Sequence, residues 1–235
     1  MNSGRQLIRL LQFNGGTFPT GGFSQSWGLE TYVTEGVVRD AASFREFLEV
    51  YLTSSIGKCE GPIVCRSYEL TGKLSEEADA ETASGLAALE QLSNAVKVTK
   101  ESREAGLRMG RAFGRVLEPI LDAGQFRPLV EIFGDLNISY PVLYGAVCSL
   151  LEIDLEEAIA AYVFSTANTL TQSALKLIPL GNVEAQQILF DMDEAFEDVI
   201  RLCMETGIDA VTNFCPGIDI ASLKHEDLPV RLYMS

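Results

Sequence analysis

The sequence predicts an all-α fold, a single-domain helical bundle with a non-helical N-terminal loop and C-terminal tail, and three observations carry that prediction. Apolar residues recur at helical spacing through almost the whole chain, long alternating strand patterns are absent, and helix-start signals stand at the expected places. The clearest periodic stretch sets Ile188, Leu189, Met192, Phe196, Val199 and Cys203 against Asp191, Asp193, Glu194, Glu197 and Asp198, an amphipathic helix with an acidic face. The other expected helices cover residues 5–12, 41–55, 62–70, 84–117, 128–133, 141–151 and 155–177. Asp154 precedes the last of these as an N-cap with Glu157 three residues on, and Pro62 and Pro141 suit first-turn positions. Residues 73–81 read as an exposed connection and residues 213–235 as a tail outside the helical pattern. With 235 residues, 47% of them hydrophobic, the chain can bury a sizeable core as one domain spanning 1–235.

Eighteen Lys and Arg against 33 Asp and Glu give a net charge of -15. That charge opposes nucleic-acid phosphates and anionic lipid and favours a cationic partner surface. No apolar stretch approaches the ~20 residues of a membrane span, and no basic-then-apolar leader pattern opens the chain, so a cytoplasmic protein is expected. The five cysteines, Cys59, Cys65, Cys148, Cys203 and Cys215, are odd in number and lack C-x-x-C spacing, the usage of buried thiols in a reducing compartment.

Residues 18–30, from Phe18 to Glu30, join glycines and a proline to aromatics. Phe18, Phe23 and Trp27 bring large apolar surfaces that need pockets in this chain or in a partner, which flexible linkers do not. A phosphate loop would require Lys and Ser/Thr after its last glycine, and here Phe23 and Ser24 follow Gly22. Further on, Gly106, Gly110 and Gly114 repeat every fourth residue and place a side-chain-free stripe on one helix face. Arg108, Arg111 and Arg115 lie on a neighbouring stripe, with Glu104 able to pair with Arg108. This reads either as an intramolecular crossing with a salt-bridged rim or as a binding surface. The single histidine, His225, removes most nucleophile-base and metal-cage options, so no catalytic set is expected; a Ser-His-Asp reading would need His225 to fold back against the loop. Cys215 and His225, with Glu226 and Asp227, are a loosely spaced metal-ligand set whose residue types suit Ni²⁺.

Five segments resemble, in order, the urease accessory protein UreF family: residues 18–30, 101–111, 140–145, 168–181 and 218–235. Gln25 and Ser139 stand where the family pattern has histidine. The resemblance implies a non-catalytic, all-helical scaffold or chaperone that binds UreD, also called UreH, and the GTPase UreG, and helps load nickel into apo-urease. It implies a homodimer, with no stably bound cofactor and nickel at most in transit. It further implies partner contacts at Phe23, Trp27, Glu30, Arg108, Arg111, Tyr144, Lys176, His225, Arg231 and Tyr233. Lys176 would belong to the GTPase-facing surface, and the apolar tail would order on UreD. An alternative within the same resemblance is a GTPase-activating role toward UreG, with Arg108, Arg111 or Arg231 as the donated arginine.

Overall fold

The computed structural model describes residues 3–74, 80–121, 123–134, 137–228 and 230–234, and among them the chain is all-α, without strands. Helix α1 spans Ser3–Asn14, α2 Leu29–Thr34, α3 Ala41–Tyr51 and α4 Gly61–Thr71. They are followed by α5 Ala80–Ala95, α6 Lys100–Leu117, α7 Ala123–Phe133, α8 Tyr140–Leu150 and α9 Leu155–Leu177. The chain closes with α10 Asn182–Phe190, α11 Asp193–Glu205 and α12 Pro216–His225. Asp154 caps α9 by accepting from the Glu157 amide, and Pro62 and Pro141 sit in the first turns of α4 and α8. Asp40 and Ser43 form a reciprocal capping box at the start of α3.

Five expectations are corrected. The continuous helix over 84–117 breaks at residues 96–99, where Thr99 caps α6 and the Arg103 guanidinium donates to the carbonyls of Lys97 (2.6 Å) and Val98 (2.9 Å). The acidic amphipathic helix divides at Asp191–Met192 into α10 and α11. The tail is not wholly non-helical, since Pro216 opens α12 at the position where its missing N–H costs nothing. In the connection 73–81, Ala80 and Glu81 belong to α5, while residues 75–79 lie outside the described residues, as does Ser235 at the end of the tail. The short helix expected at 128–133 extends back to Ala123 with Pro128 inside it.

One contiguous apolar cluster runs through the molecule, with α4, α8 and α9 at its centre. α4 and α8 pack backbone to backbone: a Cβ at Gly145 would overlap the Val64 carbonyl oxygen, and the Ser67 hydroxyl donates to the Val142 carbonyl at 2.6 Å. α3 continues into α4 through a π-helix, Leu52–Glu60, against which α11 lies. Gly57 and Gly61 leave the space that Leu202 and Cys203 of α11 fill. The widened turn matters because it ends on Glu60 and faces Ser55 and Glu60 toward an interior cavity.

The glycine stripe of α6 is an intramolecular seam. A Cβ at Gly110 would overlap the Ile138 carbonyl oxygen just before α8, and one at Gly106 would lie 2.9 Å from Nζ of Lys97. Ser139 leads into α8 through a cap supplied by another helix: the Glu90 carboxylate of α5 accepts from its amide (2.9 Å) and hydroxyl (2.7 Å).

Candidate functional site

The loop over 15–30 is built from both ends. Phe18 is buried edge-on against Phe13 at 5.6 Å between ring centres, with Phe113 at 5.4 Å on another side. Gly21 and Gly28 take φ +79° and +85°, which a side chain would resist, and Trp27 itself holds φ 47°. Trp27 lies 6.0 Å from Tyr51, ring centre to ring centre, and Phe23 stays 39% exposed.

The C-terminal segment folds back onto this loop. The buried Glu30 carboxylate accepts from the Leu232 amide at 2.7 Å through Oε1 and from the Tyr233 amide at 3.2 Å through Oε2, and His225 Nε2 lies 2.8 Å from the same Oε2. The Met234 amide donates to the Ser24 carbonyl at 2.8 Å, and Thr31 donates to the Ala221 carbonyl at 2.8 Å. Lys224 reaches Glu35 at 2.6 Å, and the Lys176 ammonium lies 5.8 Å from the Tyr233 ring centre. Glu30, Lys176, His225 and Tyr233 are thereby brought into one corner.

Arg231 is exposed at that corner, beside exposed Val230, Leu232 and Met234. Arg108 pairs with Glu104 at 3.5 Å, and Arg111 donates to the Asn137 side chain. Tyr144 is placed elsewhere: it is fully buried in the core, accepting from Asn14 at 3.0 Å and donating to the Ala158 carbonyl at 3.1 Å, so it presents no surface. Gln25 and Ser139, where the family pattern has histidine, are both buried.

Behind the corner lies a cavity of about 90 Å³. Each of the five family-like segments contributes to its wall, as Phe23, Gly106, Pro141, Thr169 and Ser222 show in turn. Its floor carries charge. Lys97 Nζ donates to Glu60 Oε1 at 2.7 Å, and the Tyr162 hydroxyl donates to Glu60 Oε2 at 2.8 Å. Burial pushes the Lys97 ammonium toward neutrality, but the charge and hydrogen bond of Glu60, helped by Cys59 and Glu90, outweigh it and leave its pKa above the usual value. Burial and then the Glu60 charge push the Cys59 thiol up to about 12, and Asp219, on the same wall, is raised by burial. The space is large and polar enough to hold several waters.

Among the described residues no three His, Cys, Asp or Glu side chains stand close enough together to hold a metal ion. Cys215 is half-buried, and His225 is engaged with Glu30. His225 does fold back against the loop, but its Nε2 faces a carboxylate there. Burial holds the thiols of Cys65 and Cys148 up to about 12 and raises that of Cys203, so these are not nucleophiles at neutral pH.

Sequence reasoning missed Glu60, Lys97 and Tyr162, which belong to no local motif. It also missed an apolar groove where α9, α10 and α11 meet, with Phe164 (51%), Val183 (83%) and Phe190 (74%) exposed along it. The spacing Val183–Phe190 on α10 signals a face that the core leaves uncovered.

Fold and site together define a class: an all-α protein whose signature segments converge on one polar cavity and whose surface carries several apolar faces suited to protein contacts. A sequence model described as UreF matches residues 38–193. The urease accessory protein UreF of Bacillus sp. (strain TB-90) is 30% identical over 98% of this chain and 99% of that protein. Its counterparts in Paenarthrobacter aurescens (strain TC1) and Ureaplasma urealyticum serovar 10 are also 30% identical, each over 97% of this chain and over 97% and 96% of their own lengths. The chain belongs to the UreF family of urease accessory proteins.

Proposed function

We propose that this chain is a non-catalytic scaffold that bridges UreD and the GTPase UreG in the cytoplasm during nickel insertion into apo-urease. The observation that carries this reading is convergence: all five family-like segments, remote in sequence, line one cavity, and three of them, 18–30, 168–181 and 218–235, form the exposed corner beside it. A surface assembled from so many parts of the chain suits recognition. The apolar fringe of Phe23, Val230, Leu232 and Met234 fits an apolar partner surface, for which UreD is the candidate. Lys176 and Arg231 lie at the same corner and supply cations for UreG. The groove of Phe164, Val183 and Phe190 suits a second copy of the chain, giving a homodimer. No cofactor is bound stably in this reading; nickel passes by transient contacts with oxygen groups along the cavity.

The test is UreG turnover with and without this chain, in the presence of UreD, alongside the nickel content of co-expressed urease. The scaffold reading expects a ternary complex and nickel loading that both depend on the chain, without faster GTP hydrolysis. Faster hydrolysis that disappears in Arg231→Ala would favour the activating role, which the exposure of Arg231 allows.

A further inference from the structure

Helix α1 carries apolar residues on two sides. Leu10 and Phe13 are buried in the core and the Asn14 side chain donates to the Tyr144 hydroxyl, so one side of the helix is fixed. On another side Leu7, Ile8 and Leu11, neighbours over one turn, are each more than half exposed. Arg5 and Arg9 accompany this apolar ridge, Arg9 donating to the neutral side chain of Gln12 at 3.2 Å, and residues 1–29 contain no Asp or Glu. In a chain of net charge -15 that segment is a basic exception. The groove between α9, α10 and α11 has the opposite character. It is open and about 720 Å³ in volume, with Phe164, Val183 and Phe190 exposed along it and Phe196 6.1 Å from Phe164 between ring centres. Residues 177–200, which supply most of its lining, contain six Asp and Glu and no Lys or Arg. Of these acids Glu184, Asp191, Asp193 and Glu197 are exposed.

We propose that the ridge of α1 on one copy of this chain seats in the α9–α10–α11 groove of a second copy, with Arg5 and Arg9 against the groove's acidic rim. A helix of 12 residues is ~18 Å long, and apolar side chains at i, i+1 and i+4 are the pattern with which an amphipathic helix fills an apolar groove. Arg5 and Arg9 stand one turn apart, as do Asp193 and Glu197. The ridge cannot turn onto the groove of its own chain without pulling Leu10 and Phe13 out of the core. α1, α10 and α11 all pack on α9, so ridge and groove border one helix, and a two-fold axis can exchange both contacts between two copies. The exchange covers both apolar faces at once. Charge favours this occupant over two like faces meeting: ridge on ridge would set arginines beside arginines, and groove on groove would crowd acid on acid. The inference rests on the homodimer reading and names the element that fills the groove.

The experiment is analytical sedimentation of the full-length chain over a range of concentrations. The wild type is expected to dimerise. Ile8→Ser and Val183→Ser, both at exposed positions, should each weaken the dimer at least roughly tenfold, and so should the charge reversals Arg5→Glu/Arg9→Glu and Asp193→Lys/Glu197→Lys. Equimolar mixing of the two charge-reversed chains should restore association to near wild-type strength, because each of the two exchanged contacts then again joins opposite charges. A reversal on α1 that leaves the dimer at wild-type strength, or a mixture that associates no better than its two components, would overturn the proposal. A dimer broken by Val183→Ser but indifferent to Ile8→Ser and to the α1 reversal would keep the homodimer reading and discard α1 as the occupant of the groove. A wild-type chain that stays monomeric at every concentration would discard both.

Discussion

Two neighbouring turns of α8 illustrate two ways of holding helices together. Near its N-terminus, Tyr140 and Pro141 border a polar cavity in which the Glu60–Lys97 pair and Tyr162 are fixed by hydrogen bonds. One turn further on, Gly145 lies against the Val64 backbone in a seam where Ile63, Val64, Val147 and Cys148 are wholly excluded from water. In the dry seam, shape alone decides, because no side chain can move aside from a backbone carbonyl. In the wet region, size is negotiable and charge is not. An unpaired ion there must find water, a proton or another ion.

The sharpest break is therefore expected in the dry seam. Gly145→Leu drives side-chain atoms into the α4 backbone, and overpacking of this kind should cost more than roughly 3 kcal/mol, enough to abolish a cooperative melt or lower it drastically. A variant melting within a few degrees of wild type would show that α4 and α8 can separate without loss.

A smaller effect, of opposite logic, is expected in the cavity. Lys97→Met strands the Glu60 carboxylate and should cost about 2–4 kcal/mol, less than a dry site would exact because water can enter. Adding Glu60→Gln should recover most of that loss, which no second substitution could do for Gly145→Leu. The pH dependence has a definite sign. The folded pKa of Lys97 lies above the ordinary value of 10.5, so its contribution is complete at neutral pH and is lost only as pH rises through that folded value. Alkaline melts of wild type and the double variant should converge above that range; parallel curves would remove Lys97 from the account.

Smaller still is the effect at Glu90, which caps α8 from α5. Burial raises its pKa, and the hydrogen bonds from Ser139 and Asn94 only partly offset this. The folded group holds its proton more tightly than the ordinary carboxyl at 4.5, so its contribution is present below that pH and fades as pH rises through the folded value. Glu90→Gln keeps an acceptor for Ser139 and removes the buried charge. Its stability should stay within about 1 kcal/mol of wild type near neutral pH and fall less steeply between acid and neutral pH. An unchanged slope would show that Glu90 is not the titrating group.

This contrast also explains what the sequence could disclose. The limits of α9, Leu155–Leu177, follow from local signals: Asp154 caps one end and the apolar pattern stops at the other. The break between α5 and α6 does not, because Val96, Lys97, Val98 and Thr99 include no glycine or proline and the apolar period runs through them. Only Thr99 ahead of Ser102 hints at a new cap, and what turns the chain is Lys97 reaching Glu60, 37 positions earlier. α12 was readable in principle, since Pro216 is a first-turn residue, but Pro216-Gly217 resembles a turn as strongly as a helix start. The motif segments were legible as segments. Their convergence on one cavity was not, because Glu60 and Lys97, which set its charge, come from outside every one of them.

The smallest stability effect should carry the largest functional one. The tail is not uniformly free: His225, Leu232 and Tyr233 all meet the Glu30 carboxylate, while Arg231 lies exposed among them. Deleting residues 224–235 would therefore remove the three partners that Glu30 finds in His225, Leu232 and Tyr233 and lower the melting temperature, so a loss of activation in that truncation could reflect either misfolding or a missing contact. Arg231→Ala separates the two. It removes an exposed side chain and leaves the backbone N–H donors of Leu232 and Tyr233 in place, so stability should change by less than about 0.5 kcal/mol. If the corner receives UreG, the same substitution should weaken ternary-complex assembly and urease activation in co-expression, and Lys176→Ala should weaken them in the same direction. An Arg231→Ala chain that melts normally and recruits UreG at wild-type strength would remove Arg231 from the contact surface and move the search to the Arg108–Arg111 face of α6.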